Sequence, residues 1–297
     1  MRRVNRLALV LILLKSTVSW GIDLQPNDIV APQPWKHAAT LSYFNSEYSD
    51  FYRNGSKVST RPYGSPTLSS SSAILRVATT YQMDDYIGVS YIQLPYGTVK
   101  PGGSLASYPA DTGTGDLTLA TAMWPYANRK TRTYFAVAGY LTSPTSSYSS
   151  NQAFNLGENR FKSDIQMGFQ RPLFESVDGM IAVDTMWFGG NSQCALACAS
   201  NTNVSLTQKP LTTTQLGPIY TINPTFTVAA SYFYVAGGAT SFNNRYQNNV
   251  VNTQRYLLSA QAHYPIGRFS LQYGRDMEIK NGFFQSRVLA IRFLTTF

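Results

Sequence analysis

The 297-residue sequence has little charge and lacks a long apolar segment after its N-terminal region. Charged residues make up only 13% of the chain, and the mean hydropathy is −0.17. A membrane-spanning helix needs about 20 consecutive apolar residues, so a helical membrane protein is excluded. A membrane β-barrel is not excluded, because lipid-facing and lumen-facing residues alternate along its strands and dilute the apolar ones.

Cysteine is also scarce. Cys194 and Cys198 are the only two, and the only histidines, His37 and His263, lie far away in sequence. If the chain is exported to an oxidising compartment, a disulfide closing this small loop is favoured. A metal-binding cysteine pair is the alternative, but no histidine or acidic residue lies nearby to complete it. No metal site or cofactor is therefore predicted.

The N-terminus has the features of a secretory signal peptide. Arg2, Arg3 and Arg6 precede an unbroken apolar run over residues 7–14, and Ser19-Trp20-Gly21 provides small residues for cleavage. We predict a signal peptide over residues 1–21 and Sec export. Loss of its four basic residues lowers the formal net charge from +9 to +5. No basic run interleaved with aromatic residues remains, so nucleic acid is not an expected partner.

Period-two alternation between turn clusters predicts twelve strands. Long and short connections alternate between them. Outer-membrane barrels show this pattern, because their periplasmic turns are short and their extracellular loops are long. The sequence thus predicts an all-β fold, one antiparallel transmembrane β-barrel over residues 35–297. The predicted strands are about 36–48, 73–82, 86–94, 115–125, 131–142, 160–171, 179–189, 206–220, 225–236, 253–264, 268–278 and 286–297.

The alternation also assigns the two faces of each strand. A charged side chain facing lipid at mid-bilayer costs about 2–4 kcal/mol for Arg or Lys, so charged positions are assigned to the lumen. Trp124 and Trp187, near strand ends, are expected in aromatic girdles. Luminal arginines facing Asp164 and Asp184 would set a transverse field. The residues expected to line the lumen are Arg76, Asp116, Arg132, Lys162, Asp164, Asp184, Arg255, His263 and Arg292, with Gln261, Arg268 and Gln272 beside them.

The last predicted strand ends on Phe297. Phe293 and Phe297 fall on one face of it and Arg292 on the other. This ending resembles the C-terminal signal by which bacterial outer-membrane barrels are recognised for insertion. It implies outer-membrane lipid and the outer-membrane assembly machinery as partners.

Six short strings are spread in order over the mature chain, at residues 23–32, 94–97, 113–117, 155–162, 271–276 and 281–283. Together they resemble the meta-pathway phenol-degradation family of outer-membrane proteins. The resemblance implies an outer-membrane barrel for transport of hydrophobic or aromatic compounds, and no enzyme.

The segment over residues 22–34 contains Pro26, Pro32 and Pro34 and lacks strand alternation. Two placements are open. It either hangs in the periplasm, or its apolar residues fold it into the barrel as a small plug.

The sequence leaves three functions open. The first is a transport barrel for passive passage of small hydrophobic or aromatic solutes, selected by pore width and lining groups. The second is a surface protein with a structural or adhesive role, acting through its long loops. The third is a hydrolase, for which a nucleophile needs a base within hydrogen-bond reach. His263 with Ser259 or Ser270 is the only candidate constellation, and no nucleophile motif accompanies it.

Overall fold

The computed structural model describes residues 23–60 and 64–297 and is almost entirely β-structure. The expected signal peptide lies outside the described residues. One short 3₁₀ helix, Leu196–Cys198, interrupts the strands, and within the described ranges no helix is long and apolar enough to cross a membrane. The strands are β1 (His37–Arg53), β2 (Ser56–Lys57), β3 (Pro66–Met83), β4 (Tyr86–Gly103), β5 (Asp111–Thr114), β6 (Leu117–Asn128), β7 (Thr133–Ser143), β8 (Lys162–Phe174), β9 (Val177–Phe188), β10 (Asn191–Cys194), β11 (Val204–Gln208), β12 (Leu211–Thr221), β13 (Phe226–Gly237), β14 (Thr240–Phe242), β15 (Arg245–Tyr246), β16 (Val251–Tyr264), β17 (Gly267–Ile279) and β18 (Gly282–Thr296).

Twelve of these strands close into an antiparallel barrel, as the alternation predicts. Each pairs with its neighbour in chain order, and β18 pairs back onto β1 over a long register that begins at Ala38 opposite Thr296. Beyond that ladder, His37 and Phe297 exchange two backbone hydrogen bonds, both 2.9 Å. Closure removes the free sheet edges, which satisfies the backbone polar groups that lipid cannot.

At one end of the barrel β1 begins, β18 ends and the other strands are joined by tight turns. We call it the tight-turn end. The opposite, long-loop end departs from the predicted boundaries. β1, β3 and β4 run several residues beyond the predicted strands, so the expected loops over 49–72 and 95–114 are shorter than predicted. Ser69 to Ser72 fall between two predicted strands, but in the structure they pair with both β1 and β4.

The predicted strand over 206–220 is in fact two strands separated at Pro210. β11 belongs to a separate four-stranded sheet with β10, β14 and β15, built from loops at the long-loop end. A disulfide joins Cys194 and Cys198 beside it. Their side chains pack with Leu206 in a small buried cluster.

The faces of the barrel strands follow the predicted alternation. On β8, Ile165 and Met167 are exposed on the outer surface, whereas Asp164 and Gln166 are buried inside. The outer aromatic girdle predicted for Trp124 is wrong. Trp124 does not stand in an outer girdle but points into the lumen, where it is only 5% exposed. Its position near a strand end suggested a girdle, yet it shares the inward face with Ala120 and Ala122.

The segment before β1 enters the barrel at the tight-turn end and lies in its lumen, whereas Trp35, next to β1, is 71% exposed. Ile29 and Ala31 are almost fully buried, and they pack against the inward-facing Trp124, Met180 and Ile219. Of the two placements left open by the sequence, the structure has the segment inside. We call residues 23–34 the luminal segment.

Candidate functional site: the occupied lumen

Glutamine side chains from four strands bind the backbone and polar groups of the luminal segment. Gln215 accepts from the Leu24 amide at 3.1 Å and donates to the Leu24 carbonyl oxygen at 2.8 Å. Gln261 donates to the Pro26 carbonyl at 3.0 Å. Because the segment has no strand partner, these side chains supply the hydrogen bonds that a buried backbone requires. Two further contacts join Gln272 to Gln25 and Gln170 to Asn27.

Two carboxylates of the luminal segment form ion pairs with arginines of the wall. Asp28 contacts Arg268 at 2.6 Å and Arg292 at 3.1 Å. Asp23 contacts Arg255 at 2.6 Å. The luminal arginines therefore neutralise the segment, whereas the sequence suggested that they would face Asp164 and Asp184.

The electrostatic consequence is clearest at Asp28. Burial alone would raise the pKa of its carboxyl group, but the positive charges of Arg268 and Arg292 and a hydrogen bond from the Gln25 amide lower it. The net result is a pKa below the ordinary value of 3.8. Asp28 is thus ionised at neutral pH, as a tie between the segment and two strands requires.

The other side of the segment is held from β6 and the turn that follows it. The Trp124 indole donates to the Ile29 carbonyl oxygen at 2.7 Å. Arg129 donates to the carbonyl oxygens of Ala31 and Pro32, both at 2.8 Å. The segment is consequently anchored on opposite walls and crosses the lumen.

A cavity of about 740 Å³ remains beside the segment. It extends along the inner faces of β1, β3, β4, β6, β7 and β8, and reaches the tight-turn end near His263 and Arg268. Small and apolar side chains dominate this wall. Those from the strands include Ala78, Val89, Ala122, Ala136 and Ala138.

The inner limit of the cavity is a polar and aromatic layer. Arg76 donates twice to the Gln93 side-chain oxygen and lies 4.2 Å from the centre of the Tyr91 ring. Tyr91 in turn meets Tyr140 edge-on, with ring centres 6.4 Å apart. The Tyr140 hydroxyl donates to Gln166 at 2.8 Å. This chain of contacts fixes two tyrosine rings that line the cavity.

Other predicted lumen residues lie further along. Asp164 and Asp184 are diagonal neighbours on the inner faces of β8 and β9. Asp164 is only 3% exposed. In the described part of the chain neither forms an ion pair with Lys or Arg. Lys162 instead pairs with Glu158 at 2.9 Å.

Asp116 and Arg132 lie just before strands of the barrel rather than within its ladders. Asp116 precedes β6 and accepts hydrogen bonds from the Ser146 and Glu158 amides, both at 3.2 Å, so it supports a loop. Arg132 lies in the turn before β7, with a positive φ of 50°, and pairs with Asp178 at 3.1 Å. Both charges therefore stand where a strand begins, and each contacts a neighbouring loop or turn.

His263 borders the cavity at the tight-turn end. The nearby Ser259 hydroxyl accepts a hydrogen bond from Gln272 at 2.9 Å and thus belongs to the glutamine network. No described contact joins His263 to a serine. Within the described ranges, no group of three or more His, Cys, Asp or Glu residues could hold a metal ion.

The two aromatic residues of the expected insertion signal lie on the outer surface. Phe293 stacks against Phe269 with ring centres 4.7 Å apart. Phe297 is 68% exposed, and its ring lies 5.9 Å from that of His37.

Sequence reasoning missed the glutamines as a group. Alternation assigns Gln170, Gln261 and Gln272 to the lumen one by one, but Gln215 was not considered. Their signal was present, because each is an uncharged polar residue on the inward face of a strand. Without knowledge of what fills the lumen, however, nothing assigned them a partner.

Residues 52–293 match the model of the family described as "Putative MetA-pathway of phenol degradation". The chain belongs to this family. The match confirms the resemblance found in the sequence strings.

Solved structures agree with the assignment. An outer membrane channel from Pseudomonas putida F1 superimposes with a TM-score of 0.86 at 26% identity, covering 93% of this chain and all of that one. The β domain of the Bordetella autotransporter BrkA superimposes with a TM-score of 0.50 at 10% identity, covering 89% of this chain and all of that one, which supports the fold alone. No curated protein matches the chain. The chain is therefore an outer-membrane β-barrel similar to a channel.

Proposed function

We propose that this family member is a passive uptake channel for small hydrophobic or aromatic compounds, with the luminal segment acting as its plug. The observation that carries the proposal is the cavity beside the segment, which has a mainly apolar wall and ends at two tyrosine rings. A polar solute gains few hydrogen bonds along such a wall, whereas an aromatic one can contact Tyr91 and Tyr140.

The plug role rests on the anchoring. The luminal segment crosses the lumen between arginines of one wall and Trp124 and Arg129 of the other. None of the barrel ladders uses a residue of the segment. The segment can therefore leave without opening the barrel itself.

We propose no enzymatic step for this protein. Passage through a lumen needs no covalent chemistry, and no described hydrogen bond joins His263 to Ser259 or Ser270. The protein from Pseudomonas putida F1 that is similar in structure is an outer membrane channel rather than an enzyme, which points the same way.

The remaining proposals concern how the protein reaches the membrane. We propose that residues 1–21 direct Sec export. Phe293 and Phe297 would then present an outward aromatic signal to the assembly machinery. Outer-membrane lipid is the proposed partner of the exposed apolar belt that includes Ile165, Met167 and Leu271.

Deletion of residues 23–34 tests the proposal. The full chain and the deletion variant are reconstituted in vesicles whose outer leaflet is lipopolysaccharide, because plain phospholipid is itself permeable to small apolar solutes. We expect the full chain to admit a small phenol and the deletion variant to admit it faster. Equal phenol flux in both proteins would exclude the segment as a plug, and flux equal to protein-free vesicles would contradict uptake.

A further inference from the structure

The long-loop end of the lumen is closed by a second element, independent of the luminal segment. Four inward-facing side chains of β1, β3, β4 and β18 are covered by side chains from two loops, of which the largest fully packed ones are Leu105 and Phe154. All six are at most 7% exposed. We call them the mouth cluster: Phe51, Leu68, Val99 and Phe283 from the wall, and Leu105 and Phe154 from the loops.

The aromatic members are arranged edge to face. Phe51 and Phe283 meet with ring centres 5.2 Å apart at 84°, and Phe154 meets Tyr108 at 6.1 Å and 70°. Such arrangements match the quadrupoles of aromatic rings. An aromatic solute of similar size can make the same contacts, so it can replace a ring of the cluster at little cost.

The loop that carries Phe154 is held at points on either side of it. Asp116 accepts from the Ser146 amide at 3.2 Å, and Asp111 accepts from the Leu156 amide at 2.7 Å. The Leu196 amide, at the start of the disulfide-closed helix, donates to the Ser150 carbonyl at 3.0 Å. Phe154 itself enters the barrel through apolar contacts alone. Its side chain can therefore move while the loop stays attached.

We propose that the mouth cluster is a gate selective for small apolar or aromatic solutes, with Phe154 as the side chain that an entering solute displaces. This proposal rests on the proposed uptake function and adds the site at which solutes are selected. A polar solute must enter the cluster without hydrogen-bond partners, which is costly. An apolar solute exchanges one set of apolar contacts for another.

The mouth cluster and the luminal segment close opposite ends of one lumen, so they act as barriers in series. Removing one barrier leaves the flux of a polar solute limited by the other. Only removal of both should open the barrel to a small sugar. This expectation separates the gate from a lumen that is closed by the luminal segment alone.

The test compares sugar and phenol entry into vesicles for four proteins: the full chain, Phe154→Ala, the deletion of residues 23–34, and the two changes combined. Each is first verified as a folded barrel by its heat-dependent mobility on a gel. We expect the combined variant to admit arabinose about tenfold faster than either single change. A remaining barrier that leaves even one hydroxyl of the sugar without a hydrogen-bond partner slows its entry by roughly that factor.

Matched variants in the deletion background make the result specific. Asn151→Ala alters an exposed residue of the same loop and should leave sugar entry low. Phe154→Leu keeps apolar bulk and should also leave it low. Leu105→Ala removes the other loop side chain and should raise it, which gives an independent reading if Phe154→Ala does not fold.

The gate is refuted if the deletion alone admits arabinose as fast as the combined variant, or if the combined variant is no faster than the full chain. Failure of the proposed uptake function would give a different result in the phenol measurement. In that case phenol entry through the full chain equals the protein-free background, whatever the arabinose series shows.

Discussion

Replacing Asp28 by alanine should loosen the luminal segment without altering the barrel wall. The substitution removes the partner of two arginines, and the Arg292 side chain is only 5% exposed. Breaking a buried ion pair by removing one partner costs about 3–5 kcal/mol. Because Asp28 and Arg268 retain some exposure, at 17% and 14%, we take the lower end, about 3 kcal/mol.

A loss of about 3 kcal/mol lowers the ratio of docked to undocked segment by roughly 100-fold. Single-channel recordings in planar bilayers read this ratio as the frequency of large-conductance openings. Every protein compared, including the full chain, carries Phe154→Ala, so that the mouth cluster does not limit the ion current. We expect openings to become much more frequent for Asp28→Ala. Asp28→Asn should be intermediate, because the side-chain oxygen of asparagine can still accept a hydrogen bond from the Gln25 backbone amide.

The matched control is Asp50→Ala, which also removes a carboxylate from an ion pair. Its partner Lys57 is 52% exposed, and exposed pairs contribute at most about 1 kcal/mol. This control should record like the full chain. An opening frequency for Asp28→Ala within twofold of the full chain would refute the reasoning that Asp28 holds the segment in place.

Three further predictions concern pH, Trp124 and the disulfide. Because the docked pKa of Asp28 is below 3.8, its contribution to docking is complete above pH 3.8 and is lost as pH falls through the lower docked value. Recordings from pH 8 to 5 should thus show no Asp28-dependent change, and a steep rise in openings at pH 6 would contradict this. Trp124→Phe leaves the Ile29 carbonyl without its donor, at a cost of about 1–3 kcal/mol. It should raise the opening frequency, whereas Trp187→Phe on the outer surface should not. Replacing Cys194 and Cys198 by serine should cost about 2 kcal/mol or less, confined to the loop sheet. Proteolysis of residues 190–205 should accelerate while the melting of the barrel is unchanged, and a lower barrel melting temperature would show that the loop supports the wall.

The barrel was predictable because its physics is local and repeated. Alternation on β8 gives the outer Ile165 and Met167 and the inner Asp164 and Gln166, and it requires only that lipid and lumen differ in polarity. The short turns repeat the same logic, since a chain that crosses a bilayer as strands must return. The family resemblance added the channel class.

The strand ends at the long-loop side were not predictable in this way. There the outer face of a strand no longer meets lipid and the inner face packs against loops, so Ser69 to Ser72 and the segment from Pro95 to Gly103 lose the contrast that marks a strand. Their pairing is set by the neighbouring strands β1 and β3.

The interior of the lumen was the least predictable part. Trp124, Gln215 and the arginines gain their roles from a segment almost 100 or more residues away in sequence, for example Trp124 from Ile29 and Gln215 from Leu24. Sequence alternation places them inside but cannot say what they contact. The inward-facing residues form one site because the luminal segment lies between them and contacts them all.

The most direct measurement of the central claim is solute selectivity of the full chain in vesicles with a lipopolysaccharide outer leaflet. Entry of a small phenol and of arabinose is followed in parallel against protein-free vesicles. The mainly apolar cavity beside the luminal segment predicts phenol entry above background with arabinose excluded. Arabinose entry as fast as phenol entry, or phenol entry at background, would contradict a channel for small apolar solutes.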